Sequence, residues 1–172
     1  MMIRKIKICD AEKFWYLSSA LDKETKFMML EPDERKKDIT RTEAMISNIL
    51  ESDDFLFVAE VDDELIGFIT ASRGTANRVK HRAHIVVGIR KKFHGRGIGT
   101  KFFQELDSWA LKQAVHRLEL TVMTHNVGAI ALYEKCGFNV EGIKKDSMCV
   151  DGEYVDEFYM SKFFSNFVDE TI

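Results

Sequence analysis

A strand-like run ending at Ile89 leads through His94-Gly95-Arg96-Gly97-Ile98-Gly99 into an amphipathic stretch starting at about Ile98, and this junction constrains the chain more than any other feature. Glycine tolerates positive φ and lets a ligand approach the backbone closely. The first turn of a helix leaves N–H groups without intrahelical partners and carries the positive end of the helix dipole. Together they suit phosphate or pyrophosphate. Arg90, Lys91, Lys92, Arg96 and Lys101 add positive charge around the turn. Taken alone, the same glycines serve equally as a tight strand-to-helix turn beside a solvated basic face. Two familiar phosphate motifs are excluded. A dinucleotide fingerprint starting at Gly95 needs Gly or Ala where Thr100 stands. A P-loop needs Lys and then Ser or Thr after its last glycine, and here the order is Thr100-Lys101.

The flanking pattern supplies the architecture. Residues 3–9 place Ile3, Ile6 and Ile8 among basic residues and read as an edge-like first strand. Asp10 is placed to cap a helix beginning at Ala11, with Phe14, Trp15, Leu17 and Leu21 as its apolar positions. Residues 22–38 are heavily charged and carry no clear period. A second helix from about Thr40 is expected to bury Met45, Ile46, Ile49 and Leu50. Residues 55–61 and 65–73 read as a hairpin about Asp62-Asp63-Glu64, residues 74–80 as a polar loop, and residues 81–89 as a third strand of this stretch. The clearest helix follows, with Ile98, Phe102, Phe103, Leu106, Trp109 and Ala110 on one face. Residues 117–123 form a strand and 127–135 a short helix, with Gly137 at its C′ position. Residues 138–150 and 153–162 close the chain as a hairpin about Asp151-Gly152. The order β-α-α-β-β-β-α-β-α-β-β predicts an α/β (α+β) protein with a mixed, mostly antiparallel sheet of about seven strands and about four helices. At 172 residues a single domain is expected.

Composition narrows the function. A net charge of −3 argues against a nucleic-acid binder, although the basic cluster from Arg90 to Lys101 keeps that reading alive. No stretch of 18 apolar residues exists, and the N-terminal residues lack the apolar core of a secretory signal, so no membrane association and a cytoplasmic location are expected. Cys9, Cys136 and Cys149 show no metal or disulfide spacing and read as reduced, partly buried thiols; no metal is expected. His81 and His84 fall on opposite faces if residues 81–89 form a strand.

A second motif gives the glycine turn its context. Asn126-Val127-Gly128-Ala129-Ile130-Ala131-Leu132-Tyr133-Glu134-Lys135-Cys136-Gly137-Phe138 is similar to N-x-x-A-x-x-L-Y-x-K-x-G-F at all seven fixed positions. With His94–Gly99 resembling R/Q-x-x-G-x-G/A about thirty residues earlier, the chain resembles the GNAT acetyltransferase superfamily over roughly residues 55–160. Its look is nearest the branch of spermidine and ribosomal-protein acetyltransferases. One letter departs: His94 stands where the family has Arg or Gln, which places an ionisable imidazole beside the phosphates.

The resemblance implies a GNAT fold and transfer of the acetyl group of acetyl-CoA, the expected cosubstrate, to a primary amine by direct attack in a ternary complex. The amine belongs to a polyamine, a small metabolite or antibiotic, or a protein; a homodimer is the implied assembly. It further implies that the strand ending at Ile89 and the strand of residues 117–123 splay to admit the pantetheine arm. The Val87 and Ile89 backbones would pair with that arm, His94, Gly95, Arg96, Gly97, Ile98, Gly99 and Thr100 would surround the pyrophosphate, and Asn126 and Ala129 would line the other side. Tyr133 matches the tyrosine that protonates the departing thiolate, as general acid. His84 aligns where relatives carry a Glu base, and Glu119 on the neighbouring strand is a second candidate base. Substrate selection is expected from the N-terminal helices, residues 22–38 and the closing hairpin; the acids Glu31, Asp33, Glu34, Asp53 and Asp54 suit either a basic acceptor or a solvated surface and do not decide the substrate. The competing reading is a non-catalytic CoA-binding regulatory module.

Overall fold

The computed structural model describes residues 1–52 and 54–164. Its elements are β1 (Met2–Lys5), α1 (Ala11–Glu24), α2 (Ile39–Glu51), β2 (Phe55–Val61), β3 (Glu64–Arg73), β4 (Arg82–Ile89), α3 (Ile98–Lys112), β5 (Arg117–Met123), α4 (Val127–Lys135), β6 (Asn139–Val150) and β7 (Glu153–Phe163). The strands lie in the order β1-β2-β3-β4-β5-β7-β6. β4 and β5 are parallel, whereas β1–β2, β2–β3, β5–β7 and β6–β7 are antiparallel. The mixed, mostly antiparallel sheet with four helices agrees with the expected fold class.

Turn chemistry explains where the chain reverses. Asp62 and Asp63 adopt φ of 48° and 64°, and Asp151 and Gly152 adopt 53° and 83°. Two successive left-handed residues form the type I′ turn whose twist matches a hairpin. α4 stops in a Schellman motif: the Phe138 N–H donates to Tyr133 O and the Gly137 N–H to Glu134 O, both at 3.0 Å. Gly137 supplies the required positive φ of 91°, and the Phe138 ring packs 6.2 Å from that of Tyr133.

The chain divides into two compact units: Met1–Ala71 with Val86–Phe102, and Ser72–Ile85 with the residues from Phe103 onward. In the first, α1 and α2 pack on β2 and β3 through Ile6, Phe14, Leu17, Leu21, Ile46, Leu56, Val58 and Phe68. Gly88 lets α1 approach β4, since a Cβ there would stand 2.7 Å from Leu21 Cδ1 and 3.1 Å from Phe68 Cε1. In the second, Phe103 meets Tyr133 and Phe138 edge-on at 5.8 and 5.5 Å, with Leu106, Leu118, Leu120 and Met160 buried in the same unit.

Several local expectations are corrected. The first strand ends at Lys5 because Ile8–Asp10 form a 3-10 turn, in which the Asp10 N–H donates to Lys7 O. Asp10 precedes α1 without capping it: its buried carboxylate accepts from Arg4 at 2.7 and 2.9 Å and from the Lys7 N–H at 2.8 Å. Asp38 does cap with its side chain, accepting from the Arg41 N–H, and starts α2 at Ile39. Met45 is exposed, so Ile46 is the buried residue of that helix. Trp15 leaves the core pattern because its indole N–H donates to Lys36 O. His81 precedes β4 instead of lying in it. Cys9 and Cys149 are exposed, and Cys136 alone of the three is partly buried.

The Arg4 guanidinium holds the Asp10 carboxyl below its ordinary range against the opposing effect of burial. The native value being the lower one, this pair stabilises the fold fully above the unfolded value of about 3.9 and loses that contribution as pH falls through the depressed native value. Asp10→Ala is expected to cost about 1–3 kcal/mol at neutral pH, because it removes two charge-assisted hydrogen bonds and leaves Arg4 with the Glu60 carboxylate alone, 2.7 Å from its Nε. Urea unfolding of both proteins should show this gap narrowing below about pH 4, where wild type begins to lose the pair.

Candidate active site

The glycine turn is a cradle of unpaired donors. Gly95 and Gly97 take φ of 73° and 76°, while Arg96 between them does not take a positive φ. Alternation of this kind turns successive N–H groups toward one side, the geometry of an anion nest. The first α3 hydrogen bond runs from the Lys101 N–H to Gly97 O at 3.1 Å. The N–H groups of residues 95–100 have no acceptor among the described residues. A Cβ added at Gly95 or Gly97 would meet nothing within 4 Å, so side-chain crowding does not explain these glycines. Their backbone conformation does.

The surrounding charges divide into two groups. Arg90 donates to Glu24 at 2.6 Å and to Glu64 at 3.0 Å, and Lys92 faces Glu64 at 3.4 Å. Lys91, Arg96 and Lys101 have no ion pair among the described residues, leaving three cations for an anion; Arg96 also lies over the Phe93 ring at 5.1 Å. Glu24 is a residue that sequence reasoning missed. Its second oxygen accepts from the Lys91 N–H at 2.9 Å, so the end of α1 fixes the start of the turn. Partial burial would raise its carboxyl, but the Lys91 N–H and Arg90 bring it below the usual range. His94 reaches back, its Nε2 2.7 Å from Ile89 O. A carbonyl only accepts, so Nε2 carries the proton.

The second unit holds the other candidates. Asn126 is the N-cap of α4, its side chain accepting from the Ala129 N–H at 3.3 Å. Tyr133 is 7% exposed, and burial pushes its phenol up to about 12. Its hydroxyl has no hydrogen-bond partner among the described residues. His84 is exposed on β4 and is the register partner of Glu119 on β5. The Glu119 oxygens are taken by Arg117 Nε at 2.7 Å and the Arg82 guanidinium at 3.2 Å. Arg117 also grips Glu141 at 2.8 Å and holds that carboxyl down to about 2. Of the acids in or near the charged segment, Glu31, Asp33 and Glu34 are exposed, with Asp33 3.2 Å from Lys23; Asp53 lies outside the described residues. No group of three metal-ligating side chains occurs among the described residues, and none of their helices is long and apolar enough to cross a membrane.

Residues 17–138 match the model of the Acetyltransferase (GNAT) family. The chain belongs to that family. The family is one of acyl-CoA-dependent N-acetyltransferases that use acetyl-CoA as cosubstrate. The chain is 33% identical over 109 residues to an L-amino acid N-acetyltransferase of Escherichia coli, a match covering 61% of this chain and 65% of that one. It is 29% identical over 115 residues to spermidine N(1)-acetyltransferase of Escherichia coli, covering 66% and 61% respectively. The chain thus spans a little under two thirds of these two relatives. The crystal structure of a GNAT-family acetyltransferase from Streptococcus pneumoniae superposes with a TM-score of 0.91 at 26% identity, covering 95% of this chain and 99% of that one.

Gly97→Ala should separate the two uses of this turn. Forcing an alanine to a left-handed φ costs about 1–2 kcal/mol, or else the turn relaxes and its donors scatter. The expected result is a lower melting temperature and weaker acetyl-CoA binding by calorimetry. Undiminished affinity would remove the turn as the phosphate site.

Proposed function

We propose that the protein transfers the acetyl group of acetyl-CoA directly to a primary amine in a ternary complex, with both units acting as one acetyltransferase domain. The observation that carries the reading is the run of unpaired N–H groups at residues 95–100, which fits a pyrophosphate and little else in a chain of this family. Arg96 and Lys101 supply charge there. The backbones of Val87 and Ile89 on β4 are assigned to the pantetheine arm, as are Asn126 and Ala129. The bound cosubstrate supplies an activated acetyl group on a thiol leaving group.

Tyr133 is assigned as the acid. Its raised value keeps the phenol protonated across the working range, so a proton is always available to give. A thiolate expelled into the same desolvated surroundings is itself more basic than in water, which brings donor and acceptor closer in affinity for the proton. The acceptor amine, with an ordinary value of about 10.4, must lose a proton before attack. His84 suits that task because its imidazole has no partner among the described residues, directly or through water. Glu119 suits it less, since releasing a proton-accepting oxygen means breaking a guanidinium contact. Backbone N–H groups near Val87 and Ile89 are the proposed donors to the thioester oxygen.

An amine panel followed by release of CoA thiol tests the reaction; tight acetyl-CoA binding with no turnover on any amine or peptide would overturn it. Tyr133→Phe is expected to lower kcat by about 100-fold or more while acetyl-CoA affinity stays within about twofold. Unchanged kcat removes Tyr133 from the acid's role.

A further inference from the structure

We infer that Glu24, itself an anion, raises the affinity of the glycine turn for the phosphates of acetyl-CoA, as a positioning residue; this rests on the acetyltransferase reading above. Charge alone predicts the reverse. A carboxylate close to a polyanion repels it, so its removal would tighten binding. Arg90 cancels that charge, donating to Glu24 Oε1 at 2.6 Å, and the two side chains are largely withdrawn from solvent, Arg90 at 21% and Glu24 at 27% exposure. Glu64 is likewise answered, by Arg90 at 3.0 Å and Lys92 at 3.4 Å. Glu24, Glu64, Arg90 and Lys92 together carry no net charge. They hold the chain without drawing the ligand, and the attraction is left to Lys91, Arg96 and Lys101.

What Glu24 adds is an acceptor where the local chain has none. Lys91–Phe93 form a 3-10 turn between β4 and the glycines. Within it the Phe93 N–H donates to Arg90 O at 2.9 Å and the His94 N–H to Lys91 O at 3.2 Å, so the Lys91 N–H at its start has no partner in the turn. The residue placed to cap that N–H is Arg90, which makes no side-chain cap because a guanidinium has donors and no acceptor. Glu24 reaches in from the end of α1, 67 residues away in sequence, and its Oε2 accepts from the Lys91 N–H at 2.9 Å. The Arg90 N–H is taken by Ile66 O of β3 at 2.9 Å. Two successive N–H groups are thereby fixed from two different elements. Phe93, at 9% exposure, anchors the turn from below, with Arg96 over its ring at 5.1 Å. Without the Glu24 bond the start of the turn is held at Arg90 alone. The donors beyond it then lose their fixed aim, and binding an anion carries an added ordering cost.

Two substitutions separate charge from position. Glu24→Asp keeps the charge but, one methylene shorter, cannot span to both Arg90 and the Lys91 N–H. Glu24→Gln drops the charge and keeps a carbonyl oxygen at the same reach. Calorimetry with acetyl-CoA should show Kd rising about 5- to 30-fold in Glu24→Asp, with Glu24→Gln between that value and wild type. The loss should persist at about 0.5 M salt, where exposed charges are screened. With an amine that wild type acetylates, it should fall on the KM for acetyl-CoA rather than on kcat. S-acetylpantetheine, which has the thioester arm and no pyrophosphate, should give Glu24→Asp and wild type the same kcat/KM. The role of Glu24 is overturned if Glu24→Asp binds acetyl-CoA as tightly as wild type, if Glu24→Gln binds it more tightly, or if S-acetylpantetheine loses as much as acetyl-CoA. Should Glu24→Asp fail to fold, Glu24→Gln still decides, because charge predicts tighter binding there and position does not. Wild type that binds no acetyl-CoA would sink the phosphate site itself. Wild type that binds it but acetylates no amine sinks the acetyltransferase reading and leaves Glu24 to the calorimetry.

Discussion

Everything in the first unit's candidate site depends on backbone donors that the chain cannot satisfy by itself. Residues 95–100 lie where β4 has ended and the α3 ladder has not begun, so their N–H groups have neither strand nor helix partners. Residues 95–97 are exposed and residues 98–100 buried or half-buried, so the open donors turn to solvent or an anion, and the left-handed glycines at 95 and 97 add conformational cost on folding. The structure holds that arrangement from behind. Glu24 clamps Arg90 and the Lys91 N–H, the Arg90 N–H donates to Ile66 O at 2.9 Å, and His94 closes onto Ile89. A turn pinned at its start and by the helix at its end can keep its donors pointing one way before any anion arrives, which lowers the ordering cost of binding.

Clamps of this kind are also what sequence reading could not reach. The order of elements was legible because hydrophobic period and turn residues are local: Asp62-Asp63, Asp151-Gly152 and Gly137 each carry their own conformational instruction. The two motifs were legible for the same reason. The pairing of Glu24 with Arg90 joins residues far apart in a chain of 25 basic and 28 acidic residues, and no local pattern selects it from the other combinations. Asp10 shows the failure most clearly. Its type and place before Ala11 suit a helix cap, but Arg4 competes for the same oxygens with a charged, two-pronged bond, which is the stronger interaction. The burial of Glu157 was invisible too, because a glutamate between Asp156 and Phe158 in a strand carries no local mark of it.

The second motif illustrates one set of residues serving structure and chemistry together. Asn126 starts α4 by capping it, and Tyr133, Gly137 and Phe138 end it, with the Tyr133 carbonyl accepting from the Phe138 N–H and the two rings in contact. Tyr133 is therefore fixed through its backbone at the helix end and through its ring by Phe103 and Phe138. Its hydroxyl is the one part of it that no hydrogen bond holds among the described residues. A phenol positioned this firmly, and kept protonated by burial, needs little reorganisation to act as a proton donor.

His94 stands at the first letter of the first motif and closes the turn that leads into it. Arg and Gln share with a neutral histidine one property, a side-chain N–H able to reach a nearby main-chain carbonyl. Here that donor is spent on Ile89 O, across the turn that leads into the glycines. Histidine makes a closing bond here without the permanent charge of an arginine. Positive charge is available from Arg96 and Lys101, which have no ion pair among the described residues, whereas Arg90 and Lys92 are held by Glu24 and Glu64. Neutralising the inner cations and freeing the outer ones leaves the backbone donors to set the position of an anion and the side chains to set its attraction.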